Sequence, residues 1–227
     1  MDDIKKSLEN WLNDLNNFSF QNYENLPDFE LYMDQVMKYL DRQLYIFQTT
    51  TSDKQITSSM INNYVKGEVI PAPVSKRYTR EHLAYIQEVC TLKQVLSIAE
   101  VKQILDKTYA EGHDKATAYD EFNYMNSTIT SEVVDNTFKK LNDVDANDID
   151  ALNKIALDYA VTANAYIEVA KRILFLNRNF EYTQKIREAQ AKEDAERAEK
   201  ERKKAEKKAA KEADSNDNDN ENEKESE

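Results

Sequence analysis

The sequence is poor in the residues that form turns: only two glycines and three prolines occur in 227 residues. All-β and doubly wound α/β folds need many tight loops, in which glycine and proline are frequent. Long helices joined by short connections need few of either residue. The composition therefore predicts a mainly α-helical protein.

The residues of several kinds of reactive site are also missing. The single cysteine, Cys90, excludes an internal disulfide framework and a metal site built on a cysteine cluster. The only histidines, His82 and His113, have no metal-site spacing. No nucleophile–base pair, glycine-rich phosphate loop or paired-carboxylate motif is present. We therefore expect a protein that is not an enzyme and holds no metal and no cofactor.

No stretch of about eighteen uncharged apolar residues occurs in the chain. The N-terminus, Met1-Asp2-Asp3-Ile4-Lys5-Lys6, lacks the apolar core of a signal peptide. A lone thiol also fits a reducing compartment. We expect a soluble, cytoplasmic protein with no membrane partner.

The net charge of −12 is unevenly distributed. Residues 56–105 carry +2, whereas residues 214–227 carry −6. Net charge governs solubility and association and does not describe a local contact surface. The acidic total therefore does not exclude a nucleic-acid partner for the basic segment.

Apolar residues at three- and four-residue spacing predict several helices in the first half of the chain. These run from Phe29 to about Phe47, from Ser58 to Lys66, from Thr79 onwards and from Ser97 onwards. Thr57 is the expected N-cap of the second helix and Gly67 closes it. Ser97 and Glu100 form a capping box at the start of the last one.

Beyond residue 109 the pattern predicts a short helix, Thr130–Leu141, and a long helix from about Asp148. One stripe of the long helix has a heptad spacing that suits close packing against another helix, with Asn177 at one seam position: Ala156, Tyr159, Ala163, Tyr166, Ala170, Ile173 and Phe180. Residues 183–213 read as a charged helix and residues 214–227 as a disordered acidic tail.

The function is predicted from the Ser58–Lys66 helix. On a helical wheel its apolar residues share one side, and the opposite side carries Ser58, Ser59, Asn62, Asn63 and Lys66. That side has no acids and many amide and hydroxyl groups. Asparagine pairs with adenine, serine accepts either base edge and lysine neutralises phosphate. We therefore predict that this face enters the major groove of DNA, the alternative being that these are ordinary surface polar residues.

Residues 71–78 are too rich in proline for a helix and predict a small wing. Lys76, Arg77 and Arg80 lie within five residues, and arginine is a strong phosphate ligand. A solvated charge run is the alternative interpretation of this cluster. A base-reading helix, a basic loop and a following helix together form a coherent docking surface for DNA.

These segments resemble the DNA-binding domain of MerR-type regulators. The resemblance lies in Met60–Pro71, where that family has an Arg-Tyr-Tyr helix and a Gly-Leu-Ile-Pro turn, and in Lys76–Leu83, where it has an Arg-Arg-Tyr-Thr wing. A closer resemblance, through Leu31–Val36, Ser59–Lys66 and the Lys-Arg-Tyr-Thr-Arg-Glu-His run, is to uncharacterised low-GC Gram-positive proteins that share a domain of unknown function. The resemblance implies a winged helix-turn-helix over roughly Phe29 to Leu105, and dimerisation through the long C-terminal helix.

The chain departs from the MerR-type pattern at four positions. Asn62 stands in place of a groove-facing arginine, Asn63 in place of a tyrosine and Val65 in place of a glutamate. Gly67 is displaced by one residue from the usual turn glycine. These changes leave more of the phosphate contact to Lys66 and the 71–78 segment.

We accordingly predict a sequence-selective transcription regulator that binds double-stranded DNA as a homodimer. The chain divides into an N-terminal helix and connector (1–28), the MerR-like domain (29–109), a helical region with the packing helix (110–182), the charged helix (183–213) and the tail (214–227). The alternative is an adaptor or structural protein that binds a protein partner through the same face, which acidic residues on that face would favour. A small-molecule or protein effector is left unidentified, and an inducer pocket would draw on aromatic residues of 106–182: Tyr119, Phe122, Tyr124, Tyr159 and Tyr166.

Overall fold

The computed structural model of the protein describes residues 4–47, 56–145 and 147–224, with side chains described as far as residue 204. In this part of the chain the α-helices are α1 (Ile4–Asn16), α2 (Met33–Gln43), α3 (Ser58–Lys66), α4 (Arg80–Leu92), α5 (Ile98–Thr108), α6 (Lys115–Leu141) and α7 (Ile149–Lys224). Short 3-10 helices lie at Tyr23–Asn25 and Tyr45–Phe47. The described residues form two isolated β-bridges and no strand. The predicted mainly α-helical class is confirmed.

Local signals set the start of several helices as predicted. The Thr57 side chain accepts the Met60 amide at 3.2 Å at the start of α3. The capping box of α5 is complete: Ser97 Oγ accepts the Glu100 amide at 3.3 Å, and Glu100 Oε2 accepts the Ser97 amide at 2.7 Å. Asp148 receives the Ala151 amide at 2.9 Å where α7 begins.

Helix α2 starts four residues later than the pattern predicts. Leu31 is extended and pairs with Tyr78, with both N–O distances at 2.8 Å. Because this pairing holds the backbone before Tyr32 out of helical geometry, α2 begins at Met33. Its predicted apolar face is nevertheless the buried one, with Val36 and Leu40 fully inaccessible.

Helix α6 is longer than predicted and begins at Lys115 instead of Thr130. Asp114 caps it by accepting the Thr117 amide at 2.9 Å. The polar residues between 120 and 131 weaken the apolar period, but none of them is a glycine or proline that would end a helix. Tyr119 and Val134, at 0% exposure, bury two separate parts of α6.

The chain divides into two compact units, Met1–Lys171 and Arg172–Glu227. In the first unit, one apolar cluster joins α1, α6 and the start of α7 around Leu12, Val134 and Leu141. Another contains Leu26, Ala84 and Tyr119. Cys90 of α4 is buried, and burial raises the pKa of its thiol to about 12.

The predicted long C-terminal helix is confirmed as α7. It continues to Lys224, past residue 213, because no glycine or proline occurs between 149 and 224; the disorder of residues 214–227 stays a prediction. Along the heptad stripe, Tyr166, Ile173 and Phe180 are 73%, 52% and 65% exposed. Three large apolar side chains of the stripe are thus open to solvent in the single chain.

The aromatic residues considered for an inducer pocket lie in different environments. Tyr119 is fully buried in the core, and the Tyr159 hydroxyl lies 2.7 Å from Thr137 Oγ1. Tyr124 of α6 and Tyr166 of α7 are 74% and 73% exposed. Tyr119 is thus a core residue, Phe122 is half-buried, and Tyr124 and Tyr166 lie on the surface.

Candidate nucleic-acid interface

Helix α3 buries one side and leaves the other to solvent. Ile61 and Tyr64 are 0% and 8% exposed, so they hold the helix against the core. The opposite side has five exposed residues, which are those predicted to face DNA: Ser58, Ser59, Asn62, Asn63 and Lys66. Tyr64 is thus a core residue, as is Tyr78 at 3% exposure.

The 71–78 segment ends in a two-residue turn. Val74 and Arg77 form a β-bridge, and the Arg77 amide donates to the Val74 carbonyl at 2.9 Å. Ser75 and Lys76 have φ values of 51° and 62°. Two successive positive φ values are typical of a type I′ turn, whose twist suits a tight hairpin tip. The turn therefore presents Lys76 and Arg77 on an exposed tip.

The turn after α3 explains the displaced glycine. Gly67 has φ −80°, which any residue adopts, whereas Glu68 has φ 55°. Glu68 occupies the left-handed position after the helix, where glycine is the usual residue. The Val69 and Ile70 amides then bond to the Tyr64 carbonyl at 2.9 and 3.3 Å, and both side chains are buried.

A groove of about 950 Å³ lies between α2, α3 and the 71–78 segment. It brings together Ser58, Asn62 and Lys76 of the predicted site. Its other lining residues were not predicted as part of the site and come mainly from α2: Tyr32, Met33, Asp34, Met37, Lys38, Asp41, Pro73 and Tyr78. Two carboxylates therefore share the groove with the proposed base-contacting residues.

Arg77 is engaged by residues that precede α2. Its guanidinium donates to Glu30 Oε2 at 3.1 Å and lies 5.5 Å from the centre of the Tyr32 ring. The hydrogen bond with Glu30 raises the pKa of Arg77. Both partners of the ion pair are 49% exposed, so solvent screens it and its contribution to stability is small.

Arg80 lies apart from the groove. Its Nε donates to the Leu26 carbonyl at 3.1 Å, and its guanidinium lies 5.7 Å from the centre of the Tyr23 ring. The structure thus brings Lys76 and Arg77 together on the tip, whereas Arg80 contacts the segment before α2.

His82 has a structural role at the start of α4. Its Nδ1 accepts the Thr79 amide at 3.0 Å, which completes a capping box. The ring is 7% exposed and lies edge-on to Tyr78. Burial lowers the pKa of His82, so the ring is neutral at pH 7.

Behind the interface lies a buried polar cluster. Gln87 and Glu88 of α4 are 0% and 1% exposed, and Tyr119 of α6 donates a hydrogen bond to Gln87. Tyr109 lies beside Glu88, whose Oε2 has no hydrogen-bond partner among the described residues. Burial raises the pKa of the Glu88 carboxyl to about 8. This carboxyl is therefore mostly protonated at neutral pH.

In the described ranges, no group of three or more His, Cys, Asp or Glu side chains is arranged to hold a metal ion. None of the helices in those ranges combines the length and apolarity needed to cross a membrane.

The whole candidate interface lies within a region that is similar to a family without an assigned function. Residues 21–125 match the model of a family described as a domain of unknown function (DUF1836). This agrees with the resemblance to a family of unknown function seen in the sequence. The match runs from the segment before α2 into α6, a wider span than residues 29–109. No curated protein and no solved structure matches the chain.

Proposed function

We propose that this protein is a transcription regulator that binds double-stranded DNA sequence-selectively as a homodimer. Residues 29–109 act as a winged helix-turn-helix of MerR-like type, with α3 as the reading helix and the 71–78 segment as the wing. The observation that carries the proposal is the acid-free polar face of α3, exposed over its whole length next to a tight basic tip.

The reading face has the dimensions and chemistry for a major groove. A nine-residue helix is about 13 Å long, enough to span a few base pairs. Ser58, Ser59, Asn62 and Asn63 carry short hydrogen-bonding groups suited to base edges. Their exposure means that no rearrangement of the core is needed before they meet DNA.

The phosphate contacts would come from Lys66, Lys76 and Arg77. Lys66 is at the C-terminal end of α3, and the other two are on the wing tip. A DNA phosphate can replace Glu30 as the partner of Arg77 because exposed ion pairs are weak. Three cations per domain give a modest electrostatic contribution, which a dimer doubles.

Homodimerisation is supported by the exposed heptad stripe of α7. Alanine or a polar residue alternates there with a large apolar residue, and the large side chains at 166, 173 and 180 are solvent-exposed in a single chain. A two-fold axis would allow two reading helices to contact two half-sites. One small domain alone reads too few base pairs for useful specificity.

The test is a selection of duplex DNA from a random-sequence pool by the full chain, followed by titration of the enriched site against salt. We expect an inverted repeat and affinity that falls steeply as salt rises. If the protein retains no duplex DNA at about 50 mM salt, where phosphate contacts are strong, the proposal is rejected.

Two variants separate base contact from phosphate contact. Asn62→Ala should reduce the preference for the selected site by about tenfold, within the range for a lost base contact. Lys76→Ala should weaken binding to every duplex and reduce the salt slope by about 0.9. Asn136→Ala and Lys139→Ala on the exposed surface of α6 are the matched controls and should change neither quantity.

A second function is favoured by the groove itself. Asp34 and Asp41 repel phosphate, and half-buried Met33 and Met37 give the groove an apolar wall. Methionine-lined surfaces are common where proteins bind peptides. An adaptor would bind there a peptide with an apolar anchor next to a basic side chain.

Peptide display against the full chain distinguishes this adaptor function from DNA reading. Enriched peptides that lose binding to Met37→Glu and to Asp41→Lys, together with absent DNA retention, would establish the adaptor. Selected DNA whose affinity is unchanged by Met37→Glu would reject it.

A further inference from the structure

Arg80 is the first residue of α4 and directly follows the wing and its cap residue, Thr79. It is the one basic residue of the 76–80 cluster that is half-buried and bound to the protein backbone. Its Nε and the face of its guanidinium are both used, on the Leu26 carbonyl and the Tyr23 ring. Leu26 is 2% exposed, so Arg80 binds the backbone at the one buried residue of a segment that is otherwise largely exposed.

The segment that Arg80 contacts, residues 21–26, is fixed on its other side by α6. The Tyr23 amide donates to Asp120 Oδ1 at 2.7 Å, and Asn123 Nδ2 donates to the Gln21 carbonyl at 3.1 Å. The Tyr23 and Tyr119 rings meet edge to face at 6.0 Å. Residues 21–26 therefore form a strap between α6 and the start of α4.

Five residues after the strap, Leu31 pairs with Tyr78 at the base of the wing. Leu31 exchanges two backbone hydrogen bonds with Tyr78, and beyond Tyr78 in the other direction lie Arg77 and Lys76. The base of the wing is thus held at two points, the Leu31 pairing and Arg80.

We infer that Arg80 is a positioning residue that fixes the wing, and that it makes no phosphate contact of its own. The inference rests on the proposed DNA binding and identifies the residue that positions the wing of that site. Lysine at this position would keep the charge but would lack the Nε donor and the planar face. The two roles therefore differ in what they require: a phosphate contact needs charge, whereas positioning needs the guanidinium group.

The experiment compares Arg80→Lys, Arg80→Ala and Lys76→Ala in the full chain, by affinity for the selected duplex across a salt series. Both Arg80 variants should weaken binding about tenfold, because each loses the Nε hydrogen bond to the Leu26 carbonyl, with an unchanged salt slope. Lys76→Ala should reduce the slope by about 0.9. Wild-type affinity in Arg80→Lys, with a reduced slope in Arg80→Ala, would show a phosphate contact and overturn the inference.

Amide hydrogen exchange gives a second readout that does not depend on DNA. The Arg77 and Tyr78 amides are hydrogen-bonded in the wing and should exchange faster in both Arg80 variants, while amides of α1 and of α6 after residue 130 stay unchanged. If Arg80 only stabilised the fold, exchange would rise alike in the wing, in α1 and in α6, and the inference would fail.

Tyr23→Leu removes the ring under the guanidinium while leaving the backbone bonds of the strap. It should weaken DNA binding and speed the exchange of the Arg77 and Tyr78 amides, as Arg80→Lys does. Unchanged exchange of these amides in Tyr23→Leu and in Arg80→Lys would refute the positioning role of Arg80. If no variant and no wild-type protein retains DNA, the proposed function fails, and the exchange data still decide the role of Arg80.

Discussion

The buried carboxyl of Glu88 makes the stability of this protein depend on pH in a defined direction. Burial raises its pKa from the model-compound value of 4.5 to about 8 in the folded state. In the unfolded chain the carboxyl ionises near pH 4.5. Between these two values folding must bind a proton, so stability is highest at the acidic end and falls as pH rises towards 8. Above pH 8 both states are ionised and the loss stops growing.

The size of the effect follows from the shift. Each pH unit within this window changes the free energy of unfolding by about 1.4 kcal/mol. The whole window gives an upper limit of about 5 kcal/mol, which water entering near the ionised carboxylate would reduce. Small domains are stable by about 5–15 kcal/mol in total. One side chain therefore governs a substantial share of the stability between mildly acidic and mildly alkaline pH.

Urea unfolding followed by helical circular dichroism at pH 5, 6, 7 and 8 measures this dependence. Glu88→Gln keeps the shape but cannot ionise, so it should lack this decline, and the difference between its free energy of unfolding and that of the wild type isolates Glu88 from other titrating groups such as His82. Glu132→Gln, on the exposed surface of α6, is the matched control and should follow the wild type. Parallel wild-type and Glu88→Gln curves over this range would refute the reasoning.

Three further outcomes are expected from single substitutions. Glu68→Gly should stabilise the fold by about 1 kcal/mol, because it removes a side chain from the left-handed region, and a lower thermal midpoint would contradict this account of the turn. Thr57→Ala should cost about 1 kcal/mol through loss of the α3 cap, with Thr57→Ser close to the wild type in the same urea assay. If the proposed homodimer forms through the heptad stripe, Ile173→Asp should give a monomer in light scattering, whereas Asn179→Asp, outside the stripe, should leave the mass unchanged; a dimeric Ile173→Asp would exclude the stripe.

The parts of this fold that the sequence predicts are those with local causes. Thr57 and Ser97 cap helices through atoms three residues away, so a short sequence window contains the whole interaction. The polar side of α3 follows from helical periodicity alone. In the same way, the absence of helix breakers after residue 149 is enough to predict a long C-terminal helix.

The parts that the sequence does not predict depend on contacts between distant residues. Leu31 and Tyr78 are far apart in the chain, and their pairing shortens α2. Arg80 belongs by sequence to a basic cluster, but its partners are a carbonyl and a ring before α2. A helical wheel shows that Asp34 and Asp41 are exposed but does not show that they face α3 across a groove.

The buried acid was also visible only in part from the sequence. Gln87 and Glu88 interrupt an apolar run on α4, which is a weak signal for buried polar residues. The meeting of Glu88 with Tyr109, after α5, depends on how α4 and α5 pack. Periodicity alone gives no information on that packing.

The burial of Cys90 has a practical consequence for watching this protein at work. Its thiol, with a pKa of about 12, forms almost no thiolate at neutral pH and is shielded from reagents. The native chain therefore offers no accessible thiol to a maleimide dye. A cysteine in place of Ser75 on the wing tip would take a single fluorophore, so the arrival of a partner at that tip can be followed in real time without first removing the native Cys90.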